Sequence, residues 1–110
     1  MIVQQPTHMA VFHPDKMGKS DLVRMENLFV GLNTFEVGHE HKAHIHEGQD
    51  KLYLVVEGEG DVTVERKTTR IRKGALVAVR SGKEHALVNP GPARLVVMVV
   101  MAPPPKAAKQ

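Results

Sequence analysis

Three histidines fall within six residues of this chain: His41, His44 and His46, in the stretch "HKAHIH". Imidazole is the most frequent protein ligand for transition metals. His44 and His46 stand two apart, and on a strand residues two apart project from one face, close enough to share an ion. An isolated H-x-H pair is also common on ordinary surfaces. His85 shifts the balance, because it lies far along the chain between the turn sequence "RSGKE" and the apolar run "ALV". Sheets bring such distant positions together. His44, His46 and His85 are therefore the candidate metal ligands. By strand parity His41 is out of phase with His44, so His39 and His41 are expected to face away from the pair. His8 and His13 read as surface histidines.

The elements that must position this trio read as strands. The predicted strand segments are 42–47, 51–57, 61–65, 69–72, 75–80, 85–89 and 94–102. They are short, rich in valine and separated by Gly, Pro and Asn, which argues an all-β sandwich or barrel. Arg66 and Lys67 are expected to make the turn of one hairpin. Residues 21–30, "DLVRMENLFV", fit a helical turn or a bent strand, and the strand is preferred. No amphipathic helix of useful length appears. The chain divides into residues 1–20, an N-terminal arm or edge strand with "MAVF" as its strand candidate, residues 21–102, the barrel, and residues 103–110, a proline-rich disordered tail.

Composition narrows the chemistry. The 110 residues make one domain, with no room for a separate cofactor domain. With three Phe, one Tyr and no Trp, the core must be built from Val, Leu, Ile and Met. Cysteine is absent, which excludes disulfides, thiolate metal sites and a cysteine nucleophile. The N-terminus lacks a basic start followed by a long apolar run, and no stretch approaches the ~20 apolar residues of a membrane span. A cytoplasmic protein without membrane association is expected. The net charge of +3 comes from scattered basic residues. The one cluster, Arg66 to Lys73, alternates with Thr and Ile and reads as the solvated face of a hairpin. It lacks the aromatic interleaving that stacks bases, so no nucleic-acid partner is expected.

Two longer patterns carry a resemblance. Gly38, five residues, His44-Ile45-His46, four residues, position 51, six residues and Gly58 resemble the first motif of the cupins. Gly74, five residues, position 80, Ser81-Gly82, two residues, His85, three residues and Asn89 resemble the second. Together they span residues 38–89, about half of the chain. The resemblance implies a double-stranded β-helix, or jelly-roll barrel, with one divalent transition metal (iron, manganese, zinc, nickel or copper) at its mouth. It assigns His44, His46 and His85 as ligands, and Asn89 as a structural residue that closes the second motif. Two positions depart from the pattern. Arg80 replaces a proline, which alters the stiffness of a turn. Lys51 replaces the glutamate ligand, and an ammonium has no lone pair to donate. The run H-x-H-x-x-Q-D-K resembles cupins in which an amide replaces that carboxylate. Gln49 is favoured over Asp50 as the fourth ligand, and Asp50 is expected to cap a turn or pair with a base.

The chemistry that would follow takes a small molecule as substrate or ligand. Three histidines and a weak fourth ligand leave coordination positions open. A redox metal would support dioxygenase chemistry, and zinc would support Lewis-acid isomerisation or cyclisation. Parity places Lys51, Tyr53 and Val55 on one face. Tyr53 could then donate a proton or orient substrate, although a half-buried core tyrosine is more common. Lys51 could act as a base or stabilise an enolate, although an ion pair with Asp50 or a nearby glutamate is more common. A non-catalytic binding cupin is the alternative. The long apolar last strand, "RLVVMVVMA", exceeds what a small barrel covers alone, so a homodimer is expected.

Overall fold

A computed structural model describes residues 1–106 of the chain. Among the described residues nine antiparallel strands form two facing sheets: β1 (Gly18–Arg24), β2 (Phe29–Phe35), β3 (Glu40–His44), β4 (Asp50–Glu57), β5 (Glu59–Val64), β6 (Lys67–Arg72), β7 (Leu76–Val79), β8 (His85–Val88) and β9 (Leu95–Ala102). The five-stranded sheet runs β1-β2-β9-β4-β7 and the four-stranded sheet runs β3-β8-β5-β6. This is the expected all-β jelly roll. The ambiguous segment 21–30 is strand at both ends, but Met25 to Leu28 break it into a β1–β2 hairpin, where the Met25 N–H donates to the Leu28 carbonyl at 2.8 Å.

Alternation along the strands builds the core. In β4, Lys51, Tyr53 and Val55 turn inward while Leu52, Leu54 and Val56 face out. Tyr53, Val55, Phe35, Val62, Leu87, Leu95, Val97 and Val99 pack between the sheets, all nearly free of solvent. Register fixes this choice, since a slip of one residue would turn every such side chain outward. The outer face of the five-stranded sheet is apolar as well. Leu54 lies opposite Met98 and Leu76, and Leu52 lies opposite Val100 and Ala78, with Leu76 65% exposed.

One turn departs from the sequence expectation. The β5–β6 hairpin turns at Glu65 and Arg66, both at positive φ (49° and 70°), one residue earlier than anticipated. In that hairpin Arg70 pairs with Asp61 and Glu59, and Arg72 pairs with Glu59, so two of the five basic residues of the cluster sit in cross-strand ion pairs. Asn89 is wholly buried. Its amide donates to the carbonyls of Phe35 (3.0 Å) and Ala93 (2.9 Å), and its oxygen accepts from the Gly91 N–H (2.9 Å).

The N-terminal segment contains a 3₁₀ helix, Pro6–Met9, and "MAVF" forms no strand. The arm is tied to the barrel by side chains instead. Thr34 donates to the Val11 carbonyl at 2.6 Å, and the Arg94 guanidinium lies 4.2 Å from the Phe12 ring centroid. At the other end, the Pro103 carbonyl accepts from Gln49 (3.0 Å) and the Pro105 carbonyl accepts from Arg24 (2.7 Å). Residues 103–106 therefore lie against the barrel, and the rest of the expected disordered tail, 107–110, falls outside the described residues. No helix among the described residues is long and apolar enough to cross a membrane.

Candidate metal centre

His44 ends β3 and lies directly opposite His85, the first residue of β8. Their rings sit 4.1 Å apart between centroids. His46 is not on the strand, because β3 stops at His44 and the chain enters a loop. Hydrogen bonds between the two motifs hold that loop. The Gly82 N–H donates to the His46 carbonyl (3.0 Å), the Gly48 N–H to Ser81 Oγ (2.7 Å), and the Ser81 N–H to Asp50 Oδ1 (2.9 Å). Gly82 sits at φ +82°, a conformation that a residue with a Cβ adopts only with strain. The second turn is thus clamped onto the first. The potential ligand atoms of His44, His46 and His85 lie within 4.8 Å of one another.

Backbone carbonyls fix the tautomers. His44 Nδ1 lies 2.6 Å from the Lys42 carbonyl and His85 Nδ1 lies 2.9 Å from the Lys83 carbonyl. Each Nδ1 must carry the proton to make that contact, which leaves a bare lone pair on each Nε2. Metal-binding histidines are oriented in this way. Burial holds all three imidazoles below their ordinary pKa. His85 is lowered to about 4, chiefly by desolvation and then by Lys51, against the bond to Lys83. His44 and His46 are lowered by burial first, and the Lys51 charge acts in the same direction. The trio is neutral and able to coordinate at neutral pH.

Lys51 is where the structure departs furthest from its expected arrangement. It turns inward on β4, is 3% exposed, and forms no ion pair with Asp50 or with any other acid among the described residues. Its Nζ stands 3.4 Å from His44 Nε2 and 3.4 Å from His85 Nε2. Burial, and then the Lys19 charge, lower its pKa to about 8. Asp50 lies on the opposite face of β4, occupied by the Ser81 N–H, as its turn-capping reading anticipates. Tyr53 is completely buried, with its ring centroid 5.0 Å from Lys51 Nζ and 6.2 Å from the His85 centroid. Its hydroxyl has no partner, and burial raises its pKa, so it stays a neutral phenol. Gln49 has its amide on Pro103 and its buried Oε1 without a partner, and it does not line the cavity over the histidines.

His41 is the residue that strand parity misplaced. Its ring stacks on His44, with centroids 4.0 Å apart and planes 29° apart. The β3–β8 register shifts between His41 and His44, and this bulge cancels the alternation that should have turned His41 away. Its pKa falls to about 3, mainly by burial, and its Nδ1 is buried without a partner. Nothing in the residue pattern around Lys42 and Ala43 marks the bulge. His39 follows expectation: it accepts from the Glu36 N–H (3.2 Å) and contacts the Pro14 carbonyl.

A cavity of about 380 Å³ opens over this cluster. His41, His44, His46 and Lys51 line it, with Lys19 and Arg24 of β1 among the other walls. A larger hollow, about 560 Å³, lies elsewhere, on the apolar outer face around Leu52, Ala78 and Val100, and no histidine lines it.

The Cupin domain family matches residues 31–101, which include both histidine motifs. The chain belongs to the cupin family. Among relatives, this cupin is 34% identical over 82 residues to an uncharacterized protein of Streptomyces coelicolor, covering 74% of this chain and 76% of that one. Its fold is similar to that of a crystal structure from Thermus thermophilus, with a TM-score of 0.91, 30% identity, and coverage of 96% of this chain and 100% of that one. It is also similar to a Klebsiella pneumoniae protein with a double-stranded β-helix domain, at a TM-score of 0.85 and 19% identity, covering 92% of this cupin and 89% of that chain.

Proposed function

We propose that this cupin holds one divalent transition metal, from among iron, manganese, zinc, nickel and copper, on His44, His46 and His85. It uses the metal to transform a small molecule in the cavity above. The observation that carries this reading is the pair of anchored tautomers, because His44 and His85 both turn bare Nε2 atoms toward one point, with the ligand atoms of the trio within 4.8 Å of one another. Gln49 is the favoured fourth ligand: its Oε1 is buried and unpartnered, and reaching the ion would take a rotation of its side chain away from the Pro103 carbonyl. When bound, the ion supplies Lewis acidity, or dioxygen activation if it is redox-active.

Isomerisation or cyclisation through an enolate is the reaction class that the side chains favour over dioxygenation. Lys51 is a buried hydrogen-bond donor beside the ligands. In its neutral form it takes the proton from the carbon beside a carbonyl, and the ammonium so formed donates to the enolate oxygen and later returns the proton to carbon, contacts that a dry site makes stronger than they would be in water. Tyr53 stays protonated and supports Lys51 from below through its ring. The competing reading is a cupin that binds its ligand without changing it. A turnover screen with small carbonyl compounds, run with metal-loaded and chelator-treated protein, separates the two. Metal-dependent solvent-deuterium incorporation next to a carbonyl supports the enolate reading. Binding without exchange or product supports the binding module.

A further inference from the structure

We propose that the ligand of this cavity is a small carboxylate, held by Lys51 in the interior and by Lys19 at the rim. The inference deepens the metal-site reading above and names its substrate class. The charge inventory carries it. Lys19, Arg24, Lys51 and Lys106 line the cavity, against a single acid, Asp21. A carboxylate ligand would ordinarily offset part of a metal's charge, but position 51 supplies a cation. Three neutral imidazoles offset none of it.

Lys51 is the decisive residue. It is 3% exposed and no acid among the described residues pairs with it. A buried unpaired cation is costly unless an anion completes it. Its ammonium has three N–H donors, and two of them are directed at His44 and His85 Nε2. The third is available to a ligand in the cavity that Lys51 lines. A metal ion would claim both Nε2 lone pairs, which removes the two acceptors and leaves the whole ammonium for the anion. Metal and carboxylate should therefore bind cooperatively. Lys19 is exposed on β1 and lines the same cavity as Lys51, His41, His44 and His46. It suits the outer end of the same carboxylate or a second one.

The test is a calorimetric binding panel of small carboxylates (acetate, lactate, pyruvate, succinate and benzoate), each paired with its neutral amide. It is run on metal-loaded and metal-free protein, on Lys51→Gln, and on the exposed variant Lys19→Gln. Metal content is measured in parallel for each sample. The proposal expects at least one acid to bind with a Kd below about 1 mM. It should bind at least tenfold more tightly than its amide, and tighter still with metal present. It also expects Lys51→Gln to erase the preference for acid over amide and Lys19→Gln to reduce it. The absence of binding by any acid, or an unchanged preference in Lys51→Gln, overturns it. Carboxylate preference in a protein that retains no metal would leave this proposal standing and remove the metal reading. Metal retention without carboxylate preference would do the reverse.

Discussion

Lys51 Nζ stands 3.4 Å from His85 Nε2, at a point where the motif of this family places a carboxylate. The contact has a consequence for affinity. The ammonium takes lone pairs that a metal needs, and its charge repels the ion. Lys51→Glu removes both effects and restores a carboxylate. The expected result is metal affinity at least tenfold higher, about 1.4 kcal/mol, in a chelator competition. Lys51→Gln should move in the same direction by less. Unchanged or weaker binding in both variants means that Lys51 does not oppose the metal.

Gln49 and Asp50 separate by partner. Gln49 Oε1 has none, whereas Asp50 Oδ1 accepts from the Ser81 N–H at 2.9 Å. Gln49→Ala should weaken metal binding, though by less than loss of any of the three histidines, since imidazole is the stronger donor. Asp50→Ala should leave metal affinity alone and cost about 0.5–1.5 kcal/mol in urea unfolding, the usual worth of one hydrogen bond. The opposite pattern transfers the fourth position to Asp50.

Acid should destabilise the metal-free protein more than a typical domain. His85 and His41 have folded pKa values of about 4 and about 3, both below the ordinary 6.5. Between those values and 6.5 the unfolded chain binds more protons than the folded one, so stability falls as pH falls. The contribution is fully present above 6.5 and is lost as pH falls toward 4 and 3. Urea midpoints measured from pH 7 down to pH 4 should decline steeply, and His41→Phe should flatten the decline. A flat profile for the unsubstituted protein would mean that these rings are solvated.

The apolar outer face predicts self-association. Leu76 is 65% exposed and Leu52 is 37% exposed on a sheet whose neighbouring outward residues are also apolar. A two-fold pairing of this face in a homodimer would cover it with its own complement. Sedimentation should give a dimer, and Leu76→Arg should shift it to monomer without altering the circular dichroism. A monomer at all concentrations removes the claim.

Much of the fold was legible because valine-rich alternation and Gly/Pro/Asn breaks are local signals. The convergence of His44, His46 and His85 was legible because the two motifs keep their spacing. What escaped the sequence was long-range. The bulge before His44 reverses the facing of His41, and it depends on how β3 meets β8. The setting of Lys51 depends on the absence of an acid partner for it among the described residues, and sequence proximity to Asp50 suggested otherwise. Pro103 and Pro105 read as a loose end, yet their carbonyls take hydrogen bonds from Gln49 and Arg24, two residues that are remote in sequence.

The central claim is that His44, His46 and His85 hold a metal, and metal content tests it most directly. Protein purified without chelator, then reconstituted and desalted, should carry one divalent transition-metal ion per chain by mass spectrometry of the elements. The doubly substituted His44→Ala, His46→Ala protein should carry none while keeping its β spectrum. Stoichiometric metal in the double variant, or none in the unsubstituted protein under any reconstitution, contradicts the account.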